Sequence, residues 1–103
     1  MTHKDIIVRL HLQGMSVLEI SRQTYHAPRS VDAYLRAFDA ILILHLYGLP
    51  AELAARVLGS CVSVVNEYLS LVDEYLKDPE QMRGYLRDRG VKIPVVRLQS
   101  APC

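Results

Sequence analysis

LHLQGMSVLEISRQTYHAPRSVDAYLRAFD (residues 10–39) and LHLYGLPAELAARVLGSCVSVVNEYLSLVD (residues 44–73) align without a gap at an offset of 34 residues. Leu10, His11, Leu12, Gly14, Arg22, Val31, Tyr34, Leu35 and Asp39 are matched by Leu44, His45, Leu46, Gly48, Arg56, Val65, Tyr68, Leu69 and Asp73. Similar pairs fill in between, Met15 with Leu49 and Asp32 with Asn66. Self-similarity at a fixed offset marks one supersecondary unit used twice. The unit reads as helix, glycine, short helix, tight turn, helix.

Local signals place each element. Ser16 with Glu19 has the spacing of a capping box, and Val17 and Ile20, with Leu18 as a further candidate, follow as an inward face. Tyr25-His26-Ala27 reads as a tight turn, and Pro28 suits a first helical position because its missing N–H would be unpaired there anyway. From Pro28, the residues Val31, Leu35, Phe38, Leu42 and Leu46 keep one apolar stripe up to Gly48. A helix of about 20 residues, about 30 Å long, is expected there. Its second half is apolar all round, so Ile41 to Leu46 are expected to be buried on every side. Pro50 opens a short helix that Gly59 breaks, and Ser60 or Cys61 leads into another with Val64, Val65, Tyr68, Leu69, Val72 and Leu76 inward. Ahead of the repeat, Thr2 with Asp5 has the capping-box spacing again, followed by Ile6, Ile7 and Leu10. Behind it, Asp78 and Pro79 start a last helix that Gly90 ends. Val91 to Leu98 is β-branched, and Pro94 reduces it to an edge strand or extended arm. The expected fold is all-α. Two tandem units, residues 1–40 and 41–78, share a long central helix, and residues 79–103 add a short helix and an arm.

Composition agrees with one small globular unit. The chain has 103 residues, half of them apolar and 22% charged, which is too apolar and too evenly charged for disorder. The longest stretch without a formal charge, residues 40–51, is too short for a bilayer span, which needs about 20 apolar residues. Met1-Thr2-His3-Lys4-Asp5 has no apolar signal region, and two cysteines, Cys61 and Cys103, make no disulfide scaffold. A reduced, cytoplasmic protein without membrane contact is expected. The net charge of +1 hides a pattern. Residues 1–36 carry +2, residues 37–78 carry −4 and residues 79–103 carry +3. The ends, and not the middle, suit polyanions.

The repeated unit resembles the helix-turn-helix of bacterial DNA-binding proteins. Gly14-Met15-Ser16-Val17-Leu18-Glu19-Ile20-Ser21 is similar to that family's G-L-S-x-x-E-I-A opening, and Val31 and Leu35 fall where its third helix packs inward. The second copy, Gly48-Leu49-Pro50-Ala51-Glu52-Leu53-Ala54-Ala55, departs in placing the acid elsewhere, yet keeps the ending Val65-Asn66-Glu67-Tyr68-Leu69. Over residues 5–76 the tandem resembles the prokaryotic family grouped as domain of unknown function 1670, with Tyr-Leu closing each copy. The resemblance implies a fold, and fold alone does not fix function.

What the resemblance implies for a site is double-stranded DNA met by the helix starting at Pro28, whose first turns would enter the major groove. Arg29 and Arg36 could then pair bidentately with guanine and Asp32 could accept from cytosine N4, with Ser30 and Ala33 on the same face. Arg22 and Thr24 would suit phosphates, and His26 sits in the turn. The plainer reading is an ion-pair ladder of Arg29, Asp32 and Arg36 on a solvated face. The second copy offers Ser63, Asn66, Glu67, Ser70, Asp73 and Glu74, with no Arg or Lys between Arg56 and Lys77. Phosphates repel such an acidic helix, so it is expected to be structural or to bind a partner protein.

The leading expectation is a sequence-specific DNA-binding protein, either a small transcriptional regulator or the DNA-binding component of a mobile element. It is expected to act as a homodimer, through the acidic helix and residues 79–98, with Arg83, Arg87 and Arg89 facing Glu67, Asp73 and Glu74 of the partner. The alternative for the tail is that it folds back on its own chain. The rival function is a protein–protein adaptor or oligomerisation module, with the second repeat or the tail meeting a larger partner. No enzyme, cofactor or metal is expected. There is no G-x-S-x-G, no phosphate-cradling glycine loop and no C-x-x-C, and His3, His11 and Cys61 make a poor metal set.

Overall fold

The computed structural model describes residues 3–91. Six helices follow one another: α1 (His3–Leu12), α2 (Val17–Thr24), α3 (Pro28–Leu46), α4 (Ala51–Leu58), α5 (Val62–Tyr75) and α6 (Pro79–Asp88), with no strand among the described residues. The chain is all-α.

The helix starts follow their capping chemistry. The Glu19 N–H donates to Ser16 Oγ at 3.2 Å and the Ser16 N–H donates to Glu19 Oε1 at 3.0 Å, closing the box. The Ser16 N–H first, then the Ser16 hydroxyl, favour the ionised acid and hold the Glu19 carboxyl below its ordinary range. Pro28 opens α3, and Asp78 accepts from the Gln81 N–H at 2.9 Å with Pro79 in the first turn of α6. Pro50 and Cys61 precede α4 and α5 without a side-chain cap.

Two cores lie along α3. Near its start, Val31 and Leu35 pack with Ile7 and Leu10 of α1 and Ile20 of α2. Further on, Phe38, Ile41 and Leu42 pack with Val8 of α1, Ala54 and Ala55 of α4, Val65, Tyr68 and Val72 of α5, and Met82 and Leu86 of α6. The helices α1–α3 form one three-helix group and α3–α5 a second, with α1 also against α5 and α6 against α3.

The expectation that Ile41 to Leu46 are buried all round is corrected. Ile41 and Leu42 are buried, Ile43, Leu44 and Leu46 are half-buried, and His45 is exposed. The molecule measures 51 × 28 × 21 Å. Its shortest extent is about two helix diameters of roughly 10–12 Å. In so thin a body a helix keeps one side near water, whatever its composition.

The alternative for the tail describes α6. Met82 and Leu86 are buried on the chain's own core, and the Tyr85 ring meets Phe38 edge-on at 5.7 Å. Arg89 pairs with Asp39 at 2.8 Å, and Glu67, one of its expected partners across a dimer, lies 3.5 Å from Lys4. Val91 packs against the larger core and its N–H donates to the Leu86 carbonyl at 2.8 Å. The rest of the expected arm, and Thr2 of the first capping box, lie outside the described residues.

Candidate nucleic-acid interface

The surface at the start of α3 is set by what anchors the helix from behind. Ile20, Val31 and Leu35 are fully buried or nearly so, which turns the opposite side of α3 outward. Arg29, Ser30, Ala33 and Arg36 are exposed there, with Asp32 half-buried among them, and Arg22 is exposed in the last turn of α2. Arg36 Nε lies 2.8 Å from Asp32 Oδ2, although four-fifths of the Arg36 side chain remains accessible. That contact is one rung of the ion-pair ladder. Arg29 makes no ion pair among the described residues. Arg22 thus lies just before the α2–α3 bend, Arg29 in the first turn of α3 and Arg36 two turns further on, with Asp32 held by Arg36 and Glu19 within reach of the Arg22 charge.

Two of the eight expected side chains are engaged within the fold. The Thr24 hydroxyl donates back to the Ile20 carbonyl at 2.7 Å. His26 Nε2 lies 2.9 Å from His3 Nδ1, and the His26 ring stands edge-on between His3 and Tyr34. His26 Nδ1 is buried and finds no hydrogen-bond partner among the described residues. A proton on Nε2, donated to His3, is the tautomer that avoids an orphaned buried donor. Ser21 donates to the His26 carbonyl and closes the turn.

Sequence reasoning passed over Tyr25. It ends α2 in the left-handed region, φ 58 and ψ 32, with its side chain 95% exposed between Arg22 and the start of α3. A residue other than glycine is strained there, because its Cβ crowds the neighbouring carbonyl. Thirty-four residues on, Gly59 ends α4 at φ 67 and ψ 32. The same bend is therefore made with glycine in one copy and with a tyrosine in the other. The alignment of the copies was the signal that could have found it. Leu18, a candidate for the inward face of α2, is corrected: it is 58% exposed and lies outward, because Ile20 alone of this helix is buried in the core.

The matching face of α5 is different in charge. Ser63, Asn66, Ser70, Asp73 and Glu74 are exposed, and no cation stands on the helix.

A second polar cluster fastens the fold. The Tyr85 hydroxyl donates to Asp39 Oδ1 at 2.6 Å, and Arg89 donates from Nε and Nη2 to Asp39 Oδ2, both at 2.8 Å. Arg89 Nη1 also lies 2.9 Å from His11 Nε2. Arginine only donates, so that nitrogen accepts and His11 is neutral with its proton on Nδ1. Burial first, then the Arg89 charge, holds the His11 pKa below its usual value, with Asp39 opposing in part. Burial and the Asp39 hydrogen bond push the Tyr85 hydroxyl up. These groups satisfy one another and tie α1, α3 and α6 together. Elsewhere, Tyr75 donates to Asp5 Oδ1 at 2.8 Å, joining α5 to α1.

No group of three or more His, Cys, Asp or Glu side chains that could hold a metal occurs among the described residues. No helix among them is long and apolar enough to cross a membrane.

The family described as protein of unknown function (DUF1670) matches residues 1–71, the two three-helix groups up to most of α5. No curated protein and no solved structure matches the chain.

Proposed function

We propose that this chain, which belongs to the DUF1670 family, binds double-stranded DNA with the outward face of α3, as a small transcriptional regulator or the DNA-binding component of a mobile element. Its two three-helix groups are read as tandem helix-turn-helix units, the first reading DNA and the second supporting it or meeting a partner. The observation that carries this reading is the exposed pair Arg29 and Arg36, two turns apart on one face of a helix anchored from behind by Val31 and Leu35, with exposed Arg22 in the last turn of α2. Such an arrangement suits phosphates and guanine edges at once.

Roles divide by geometry. Arg29, Ser30, Ala33 and Arg36 reach base edges, with Asp32 accepting from cytosine or steadying Arg36. Arg22 and Tyr25 meet the backbone from the bend, Tyr25 through a hydroxyl held clear of the fold. Thr24 and His26 act from behind, shaping the bend through Ile20 and His3. The protein works in the cytoplasm, and a two-fold dimer on half-sites would extend a short readout.

Selection of random duplexes on the pure protein tests the reading. Enrichment of a common motif supports it. Absence of enrichment turns the assignment to the rival, a protein–protein module, which the apolar outward face of α4 favours.

A further inference from the structure

We infer that the outward face of α4 is a self-association surface, on which a second copy of this chain lays its own α4 antiparallel about a two-fold axis. The inference stands apart from DNA readout.

The two copies of the repeat differ most plainly here. In α2 the outward positions are Glu19, which caps its helix, and Gln23, both exposed. The equivalent positions of α4 hold Leu53, 40% exposed, and Val57, 63% exposed. Leu49, two residues before α4, and Val62, the first residue of α5, are also partly exposed, at 36% and 37%. Scattered apolar residues on a surface need no explanation, but a contiguous apolar row on one helix face marks a contact. Ala54 and Ala55 face inward, so the same short helix is apolar on both sides.

The charges choose the occupant. Glu52 and Arg56 are exposed and lie one turn apart, along the same flank of the Leu53–Val57 row. When two such helices pack antiparallel, residues on the same flank meet across the seam. Each Glu52 then stands opposite Arg56 of the partner subunit, and two-fold symmetry makes the pair twice. A parallel, in-register pair would bring like charges to the same height instead. The face is complementary to itself, which is what an isologous contact requires.

Sedimentation velocity across a concentration series, without DNA, tests it. The parent is expected to dimerise by hundreds of micromolar. Glu52→Arg and Arg56→Glu, both at exposed positions, should each weaken the dimer by roughly tenfold, because each turns two attractions into two repulsions. An equimolar mixture of E52R and R56E should recover a mixed dimer, and the double variant E52R/R56E should self-associate again. Helical circular dichroism is expected to stay at the parent level in all of them. A monomeric parent at those concentrations overturns the proposal. So does a dimer that neither single reversal weakens, since its contact must then lie elsewhere.

Discussion

Replacing Tyr25 by glycine should strengthen the fold and weaken DNA binding at the same time. Tyr25 holds φ 58, and a left-handed backbone costs an L-residue about 1–2 kcal/mol. Glycine removes that strain but loses about 0.5–1 kcal/mol more in backbone freedom on folding. The side chain is 95% exposed, so its removal forfeits almost no burial. The net expectation for Tyr25→Gly is a gain of up to about 1.5 kcal/mol, seen as a melting point higher by up to roughly 7 °C for a chain of this size. Tyr25→Ala keeps the strain and should leave the melting point near the parent's. Both variants lose the hydroxyl and the ring, so both should bind duplex DNA more weakly. Thermal unfolding by circular dichroism and a fluorescence titration on one selected duplex provide the two readings. If Tyr25→Gly lowers the melting point, the side chain supports the fold and the strain reasoning fails. If it melts higher and binds DNA as tightly as the parent, the tyrosine is not at the interface.

Other outcomes follow from the cores and the polar clamp. Leu42 is fully buried where α3 meets the larger core, so Leu42→Ala should cost about 2–5 kcal/mol by urea denaturation. Ser70 is exposed and its hydroxyl only bonds back to the Asn66 carbonyl, so Ser70→Ala should change stability by less than about 0.5 kcal/mol in the same assay. His11 has its folded pKa depressed below 6.5, while the unfolded chain titrates near that value. Above it both states are neutral there; as the pH falls through 6.5 the unfolded chain takes up the proton that the fold resists. Stability should therefore fall on moving from about pH 7.5 to about pH 5.5, and His11→Gln should show a smaller fall over the same range. Asp39→Ala strands Tyr85 and Arg89 together and should cost about 1–3 kcal/mol, with α6 protected less than α3 in amide exchange.

What could be read ahead of the structure is local. The Ser16–Glu19 box, Pro28 and the Asp78–Pro79 start each involve residues within one turn, and each forms where its chemistry places it. The gapless offset between residues 10–39 and 44–73 likewise marks two groups built on one plan, because both copies need the same inward residues. What escaped is tertiary. His11, Asp39, Tyr85 and Arg89 come from three helices far apart in the chain, and no short spacing announces their meeting. The exposure of Leu44 and Leu46 depends on how thin the whole body is, which periodicity does not carry. Thr24 and His26 looked like surface polar residues until their partners, Ile20 and His3, came into place. Tyr25 and the Leu53–Val57 row were visible in principle, by asking where the two copies disagree and not where they match.

The most direct test of DNA reading by α3 is the salt dependence of binding to a selected duplex, measured for the parent and for Arg29→Ala/Arg36→Ala. Both arginines are exposed, so the variant should fold as the parent does. The parent's affinity should fall steeply and linearly on a logarithmic salt axis, and the double variant should keep most of that slope, because Arg22 and not these two arginines is assigned to phosphate. On the proposed reading the two guanidinium groups hydrogen-bond base edges, and those bonds would disappear with them. Binding should then weaken by about 1–3 kcal/mol for each arginine on the selected sequence and less on a scrambled one. That combination, a retained slope with a loss of sequence preference, is the predicted result. A double variant that keeps the parent's affinity and preference would contradict the account, because the outward face of α3 would then not be reading DNA.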